Sequence, residues 1–468
     1  MMSIAEFRAE LGDIPQEDNP RIVQQRSRDH YWYSPVLKAK LDHVTAEVVV
    51  SPRSTEEVKT TLRAAYKHGV AITPRGAGTG NYGQAMPLSG GAMLNLMNMD
   101  KVLEIKPDRV RAQAGAVLEA MDHETKAAVG GELRFHPSTY RMASLGGFIA
   151  GGSGGVGSVR WGGLRNLGSI LGLKIVTCEA EPRELDLKGE DILKVAHAYG
   201  TNGIIVEAEM PLAPAYDWVD MIVGFDEFMD AAAFAQAVAL QDGLLVKEVA
   251  PCAAPIPEAY FNRHKPYLKD SQSVVLLMVA PVSVDAMELF VAHHKGDLVY
   301  RADQASDEEK RRLPPVYELA WNHTTLRALK VDNSITYLQT RYPSIEHVRK
   351  IYELLGDELP MHIEITRQDG EVTFAGLPLV RYTTEERLEE IIRIHEDNGC
   401  NVFNPHRYTL EEGGMKRTDQ KQLDFKREAD PKGILNPGKM VAWENPDFDF
   451  NAGKVWLFDG LNTVRQSA

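Results

Sequence analysis

The sequence predicts an α+β fold of more than one domain, and three observations predict it. A βαβ unit over residues 47–73 runs directly into a glycine-rich loop, 74–80 (PRGAGTG). A second glycine-rich tract, 146–163, interleaves its glycines with Phe148, Ile149, Val156, Val159 and Trp161. After Pro211 and Pro214 the pattern changes to strands alternating with helices, with antiparallel returns, up to about residue 410, the arrangement of a sheet covered by helices on one face.

With 468 residues the chain has room for roughly two to four domains. Hydrophobic residues at 44% and charged residues at 25% exclude a disordered or fibrous chain. Lys plus Arg is 52 and Asp plus Glu is 66, so the net charge is −14, and a surface this acidic repels a phosphate backbone. Nucleic acid is not an expected partner. The three cysteines, Cys178, Cys252 and Cys400, are far apart and odd in number, which fits a reducing compartment and neither a disulfide framework nor a metal finger. The N-terminus lacks a basic run followed by an apolar one, and the longest apolar runs, such as 274–282, fall short of the ~18 residues of a membrane span. A soluble, cytoplasmic protein with no transmembrane segment is expected.

Residues 1–45, polar and broken by Pro15, Pro20 and Pro35, read as an extended or partly helical lead-in. Glu47–Val50 is the first strand. Ser54 caps a helix with capping-box spacing to Glu57; Val58, Leu62 and Ala65 repeat at helical spacing, and Gly69 ends it. A second strand over 70–73 feeds the first glycine loop. Short strands follow at 92–96, 102–105, 110–114, 172–177 and 203–210, with a domain boundary near 215. Beyond it come strand 219–224, helix 227–241 and strand 244–249; strand 273–280, helix 283–294 and strand 298–300; strand 334–339, helix 344–355 and strand 361–366. An amphipathic helix near 415–428 and a turn-rich segment, 430–440, close the chain.

Glycines let backbone N–H groups converge on one point and leave no Cβ to block a diphosphate. The order of elements differs from the dinucleotide-binding βαβ unit, where the glycines lie between the first strand and the first helix; here they follow the second strand. Alone, the 74–80 loop is equally a tight surface turn. The second tract is too apolar for a linker, and two such tracts in one domain point to one large, multiply charged ligand.

In 48–58 (VVVSPRSTEEV), 69–84 (GVAITPRGAGTGNYGQ), 136–162 (HPSTYRMASLGGFIAGGSGGVGSVRWG) and 199–214 (YGTNGIIVEAEMPLAP) the chain resembles the FAD-binding domain of the p-cresol methylhydroxylase/vanillyl-alcohol oxidase flavoproteins. The ending 425–440 (FKREADPKGILNPGKM) resembles the FAD-linked oxidase branch, which includes D-lactate dehydrogenases and flavin subunits of glycolate oxidase. The resemblance implies a lead-in (1–45), a two-part FAD-binding domain (46–215), a central α+β substrate cap (216–410) and a C-terminal segment (411–468) returning to the flavin. It implies that Arg75, Gly76, Ala77, Gly78, Thr79 and Gly80 hold the pyrophosphate, with Asn81 and Gln84 close by. Pro137, Ser138, Ser144, Gly146, Gly147, Ala150, Gly151, Gly154, Gly155 and Ser158 line the other side, Ile205 meets the flavin, and Asn436 and Lys439 return to it. Many relatives attach FAD through a histidine at the position of Thr79, so non-covalent FAD is expected.

Oxidation of a hydroxyl by flavin requires a base for the hydroxyl proton and donors that hold the substrate. His406 is the expected base, in the place where related D-2-hydroxy-acid dehydrogenases carry Glu-His-Gly, with Glu411 and Glu412 as residues to orient it. The HxGDGNxH metal motif of those relatives is absent; His362 and Glu364, on one strand face, either join His406 around a divalent metal or form an ion pair, and no metal site is assigned. Arg327 and Arg341 are the assigned anion clamps, from a set that includes Lys330, Arg367, Arg381 and Arg407; His323, Arg327 and Lys330 share a helix face. Tyr337 and Tyr342 are either pocket donors or core.

The expected activity is hydride transfer from a small D-2-hydroxy acid to FAD. Rival readings are an alditol, sugar lactone or aromatic alcohol as substrate, or a non-catalytic flavin-binding subunit of a larger complex. The expected partners are an anionic small molecule and an electron acceptor (oxygen, a quinone or a carrier protein), with a homo-oligomer or a subunit role both open.

Overall fold

A computed structural model describes residues 4–450 and 455–461; the ends of the expected lead-in and C-terminal segment lie outside these. The first sheet has four strands in the order Gln16–Glu17, Val48–Val50, Ala92–Asn95, Ile72–Arg75, the last three parallel and the first antiparallel. The helix Thr55–His68 joins Val48–Val50 to Ile72–Arg75 as the sequence predicts. Ser54 Oγ accepts from the Glu57 N–H at 3.2 Å, and Gly69 closes the helix at φ +66°. Only half of the expected capping box forms, because the Glu57 carboxylate accepts from the N–H of Arg53 (2.7 Å) rather than that of Ser54.

The second sheet is antiparallel and built around the long strand Ile204–Pro214, flanked by Arg109–Gln113 with Val102–Lys106 on one side and Gly172–Val176 with Glu184–Leu187 on the other. The far end of that strand pairs with Gly131–Leu133.

The third sheet runs Val246–Cys252, Ser273–Val279, Val219–Phe225, Asp297–Arg301, all antiparallel. The fourth runs Ile363–Gln368, Glu371–Gly376, Thr340–Tyr342, Asn401–Val402. Helices Phe228–Ala239 and Ile345–Leu355 bury apolar faces in a core shared by these two sheets, with the Phe228 and Tyr352 rings 4.9 Å apart. The Ser273–Val279 strand explains its continuous apolar run: Val275, Leu277 and Val279 enter this core, while Val274, Leu276 and Met278 enter the core shared with the N-terminal half. Side chains alternate across a strand, so a strand wedged between two cores is apolar at every position.

Several elements differ from the expectation. The lead-in folds: helix Ile4–Glu10 sets Phe7, with Leu11 just beyond it, in one core with Val58 and Leu62, and Gln16–Glu17 pairs with Val48–Val50. Residues 334–339 do not make one strand; Ile335–Tyr337 pairs with Leu379–Arg381, and Thr340–Tyr342 belongs to the fourth sheet. Helices Leu118–Val129 and Glu385–Asp397 are additional. The last long helix starts only at Gln420, where Asp419 accepts from the Gln422 N–H.

Candidate functional site

The two glycine tracts face each other across a cleft of about 1360 Å³. The first is the turn leaving strand Ile72–Arg75; the second contributes the helix Leu145–Gly151 and the residues around it. Gly78 has φ +70°, and a Cβ there would lie 2.0 Å from the Arg75 guanidinium, which folds beneath the loop and donates to the carbonyls of Arg28 and Ala77. Burial lowers the Arg75 pKa to about 10, leaving it cationic at neutral pH.

All the expected cofactor residues line this cleft except Gly155, Ser158, Asn436 and Lys439. Gly155 packs backbone to backbone: a Cβ there would lie 2.0 Å from the His136 carbonyl oxygen. Ser158 accepts from the Gly155 N–H at 3.0 Å and faces a second cavity. Asn436 is a buried strut whose Nδ2 donates to the carbonyls of Gln84 (2.8 Å) and Tyr199 (2.7 Å). Lys439, buried beside Asp29, donates to the Gly83 carbonyl at 2.7 Å; burial lowers its pKa and raises that of Asp29.

The N-terminal segment, expected only as a lead-in, supplies Asp29, His30 and Tyr33 to the cleft. The His30 backbone N–H donates to the Gly80 carbonyl at 2.7 Å, and its ring stacks on Tyr33 at 5.8 Å. Burial and the Arg75 charge lower the imidazole pKa, so the ring is neutral. The other wall includes Tyr199, Trp321, Asn322 and Gln339. The signal for the N-terminal contribution is the run His30-Tyr-Trp-Tyr33 inside an otherwise polar segment.

A second cavity, of about 770 Å³, joins the first through shared lining residues Ser153, Gly154, Trp321 and Gln339. Three arginines line it, Arg165, Arg341 and Arg367. The Arg367 guanidinium is committed to the carbonyls of Val159, Ala239 and Gly370, and Arg165 pairs with Asp369 at 2.6 Å. Arg341 forms no ion pair among the described residues; it donates to Gln368 and lies 5.7 Å from the Phe403 ring centre. Burial lowers its pKa.

The remaining expected site residues lie elsewhere. His406 reaches neither cavity. It is buried, with Nδ1 2.6 Å from Ser34 Oγ and Nε2 2.9 Å from the Tyr337 carbonyl, and burial lowers its pKa to about 4. A neutral ring with Nε2–H donating and Nδ1 accepting has no lone pair left for a substrate proton. Arg327 is also outside both cavities, held by the Glu318 carbonyl (2.7 Å) and carboxylate (3.5 Å). Arg381 binds the Asp357 carbonyl and Arg407 pairs with Glu389 at 2.7 Å. Glu411 accepts from the Val441 and Ala442 N–H groups and from Thr418, not from His406. Tyr337 and Tyr342 are core. His362 and Glu364 pair at 2.7 Å with no exposed surface. Among the described residues no group of three or more His, Cys, Asp or Glu side chains is arranged to hold a metal ion.

The cleft fits FAD. Its walls are backbone where a diphosphate must approach closely, a buried arginine underlies the loop, and buried polar atoms of its lining residues, Arg75 Nε, Tyr199 Oη and Asn322 Oδ1, have no partner among the described residues. A glycine-walled cleft opening into a cation-lined cavity is the arrangement that the resemblance to the p-cresol methylhydroxylase/vanillyl-alcohol oxidase flavoproteins implies.

Residues 46–186 match the FAD binding domain family FAD_binding_4. The glycolate oxidase subunit GlcD of Bacillus subtilis (strain 168) is 30% identical over 430 residues, covering 85% of this chain and 89% of the relative. A D-lactate dehydrogenase of Anaerostipes hadrus is 28% identical over 203 residues, 40% of this chain and 41% of the relative. Among solved structures, an alkyldihydroxyacetonephosphate synthase superposes with a TM-score of 0.70 at 17% identity, over 93% of this chain and 85% of that one. The chain belongs to the FAD-linked oxidase family, and it is an FAD-dependent oxidoreductase. No helix among the described residues is long and apolar enough to cross a membrane.

Proposed function

We propose that the protein oxidises a small D-2-hydroxy acid. The observation that carries this reading is Arg341, a half-buried guanidinium in the cavity next to the cofactor cleft with no carboxylate partner of its own among the described residues. It is placed to receive a substrate carboxylate, a charge-assisted contact of the kind a planar guanidinium makes best.

Bound FAD supplies the acceptor for the hydride of the substrate C–H. The chain's own residues do the rest. Arg341 holds the carboxylate. Trp321 and Gln339, at the neck between the cavities, set how far the substrate reaches toward the cofactor cleft. His30 takes the hydroxyl proton: it is the one imidazole among the described residues that lines either cavity, and it is neutral at neutral pH. FAD is held without a covalent bond, since Thr79 stands at the position expected for attachment and, among the described residues, its hydroxyl meets only Thr139 Oγ1, at 3.4 Å. Acid precipitation tests this part: free flavin in the supernatant is expected, and a yellow pellet contradicts it.

The substrate reading is tested by anaerobic mixing with panels of D-2-hydroxy acids, L-2-hydroxy acids, alditols and aromatic alcohols while the visible flavin band is followed. Bleaching by a D-2-hydroxy acid supports the reading; bleaching only by an uncharged alcohol removes the role given to Arg341.

A further inference from the structure

The second cavity offers more room, and more apolar wall, than a two- or three-carbon acid requires. It is built on the face of the fourth sheet turned away from the core. Side chains alternate across a strand, so Tyr342, Ile365 and Phe374 enter the core while Arg341, Thr366, Thr373 and Ala375 face the cavity. The residue directly across the strand pair from Arg341 is Ala375, and Gly376 stands across from Thr340. Small residues beside Arg341 leave space there rather than filling it. At about 770 Å³ the cavity falls in the ~300–1,000 Å³ range of sites that enclose drug-sized ligands.

An apolar wall starts at the neck. Trp321, Leu377, Phe403 and Leu457 pack in one apolar cluster, and all four line the cavity. The Phe403 ring centre lies 5.7 Å from the Arg341 guanidinium. A carboxylate held by Arg341 therefore brings the carbons that follow it against this wall. Phe458, its ring stacked on His197 at 4.5 Å, extends the wall. The Leu457 and Phe458 N–H groups donate to the carbonyls of Gly414 and Met415, each at 3.0 Å, so this part of the wall is seated on the body of the protein.

The cavity supplies one anchor for a carboxylate and no second one. The Arg367 guanidinium is spent on three backbone carbonyls. Arg165 is held by Asp369 at 2.6 Å, with Asp459 3.8 Å away. A second carboxylate on the ligand would meet two acids that already hold the arginine, and it would lose its hydration without gaining a cation.

We propose that the substrate is a monocarboxylic 2-hydroxy acid with an apolar side chain of four or more carbons, aliphatic or aromatic, seated against Phe403, Leu377 and Leu457. The inference deepens the reading given above and rests on it, taking the second cavity as the substrate site and Arg341 as the carboxylate anchor. Glycolate and lactate leave the apolar wall uncovered, and a 2-hydroxy dicarboxylate brings a charge that the wall and the paired arginines refuse.

The test separates binding from oxidation. In the FAD-loaded protein, acetate, butyrate, pentanoate, hexanoate, 3-phenylpropanoate and glutarate, which carry no hydroxyl to oxidise, are titrated while the visible flavin spectrum and the tryptophan fluorescence are followed. The dissociation constant is expected to fall about fourfold per added methylene from acetate to hexanoate. Glutarate is expected to bind at least tenfold more weakly than pentanoate, which has the same number of carbons. Leu457→Ala is expected to weaken hexanoate about fourfold more than it weakens acetate. A series with no dependence on chain length, glutarate binding as tightly as pentanoate, or no binding of any of these acids would overturn the proposal. Anaerobic flavin reduction by the matching D-2-hydroxy acids reads the other half. Bleaching that is fastest with glycolate or lactate counts against the apolar side chain alone. Chain-length-dependent binding with no bleaching by any hydroxy acid counts against the oxidation reading alone.

Discussion

Gln84 bridges the two glycine-rich loops: its Nε2 donates to the Gly151 carbonyl at 3.2 Å, while its Oε1 accepts from the Tyr82 N–H at 3.0 Å. The two walls of the cofactor cleft are therefore coupled before any ligand arrives. Asn436, from the C-terminal segment, holds the back of the same loop through the Gln84 carbonyl.

Loss of this bridge is expected to weaken flavin binding without unfolding the chain. Each neutral hydrogen bond contributes about 0.5–1.5 kcal/mol net, so loss of the bridging bond in Gln84→Ala should weaken FAD binding by roughly 2- to 13-fold. Titration of the apoprotein with FAD, followed by fluorescence quenching, checks it; an unchanged dissociation constant contradicts the bridging role.

Arg341 and Arg327 are expected to part company. Arg341→Met removes a charge-assisted contact worth about 1.5–3 kcal/mol and should raise KM by roughly 10- to 150-fold with the flavin still bound. Arg327→Met, whose parent side chain is occupied by Glu318, should leave KM within about twofold and act only on stability. Steady-state kinetics on both variants separates them.

His406→Ala is expected to be a stability variant. It leaves the Tyr337 carbonyl and Ser34 hydroxyl without their partner, at a cost of about 1–3 kcal/mol, while turnover per folded molecule persists. Denaturant melts and active-site titration together read this, and a loss of turnover in fully folded, flavin-loaded protein would restore His406 as the base.

The same histidine sets a pH dependence. Its folded pKa, about 4, lies below the unfolded value near 6.5. The unfolded chain therefore takes up this proton first as pH falls. The stability that neutral His406 contributes is full above about 6.5 and is lost as pH falls toward 4, with a slope of at most about 1.4 kcal/mol per pH unit. His406→Gln should remove that part of the slope. Parallel stability-against-pH curves for the two proteins would contradict the assignment of a buried neutral ring.

The cofactor cleft was legible in the sequence because close approach to a diphosphate excludes side chains, and nine glycines in 146–163 leave a mark that composition alone reveals. The Ser273–Val279 strand was legible for a similar reason, since both of its faces are buried. The surroundings of His406 and Arg327 were not. Whether a histidine meets substrate or a backbone carbonyl depends on contacts such as His406 to Tyr337, 69 positions away, and no spacing rule encodes them. Arg327 and Arg341 look alike in sequence; the Glu318 carboxylate that occupies one of them is brought there by the turn before helix Asn322–Leu329. Asp29, His30 and Tyr33 were hidden because their place in the cleft comes from a long-range bond between His30 and Gly80.

The measurement that tests the central claim most directly is anaerobic flavin reduction by a D-2-hydroxy acid in wild type, His30→Gln and Arg341→Met. The account predicts rapid bleaching in wild type, a reduction rate at saturating substrate lowered by about 10²-fold or more in His30→Gln, and a saturation curve moved to higher concentration in Arg341→Met. Wild-type flavin that no hydroxy acid bleaches, or a His30→Gln protein that is reduced as fast as wild type, would contradict it.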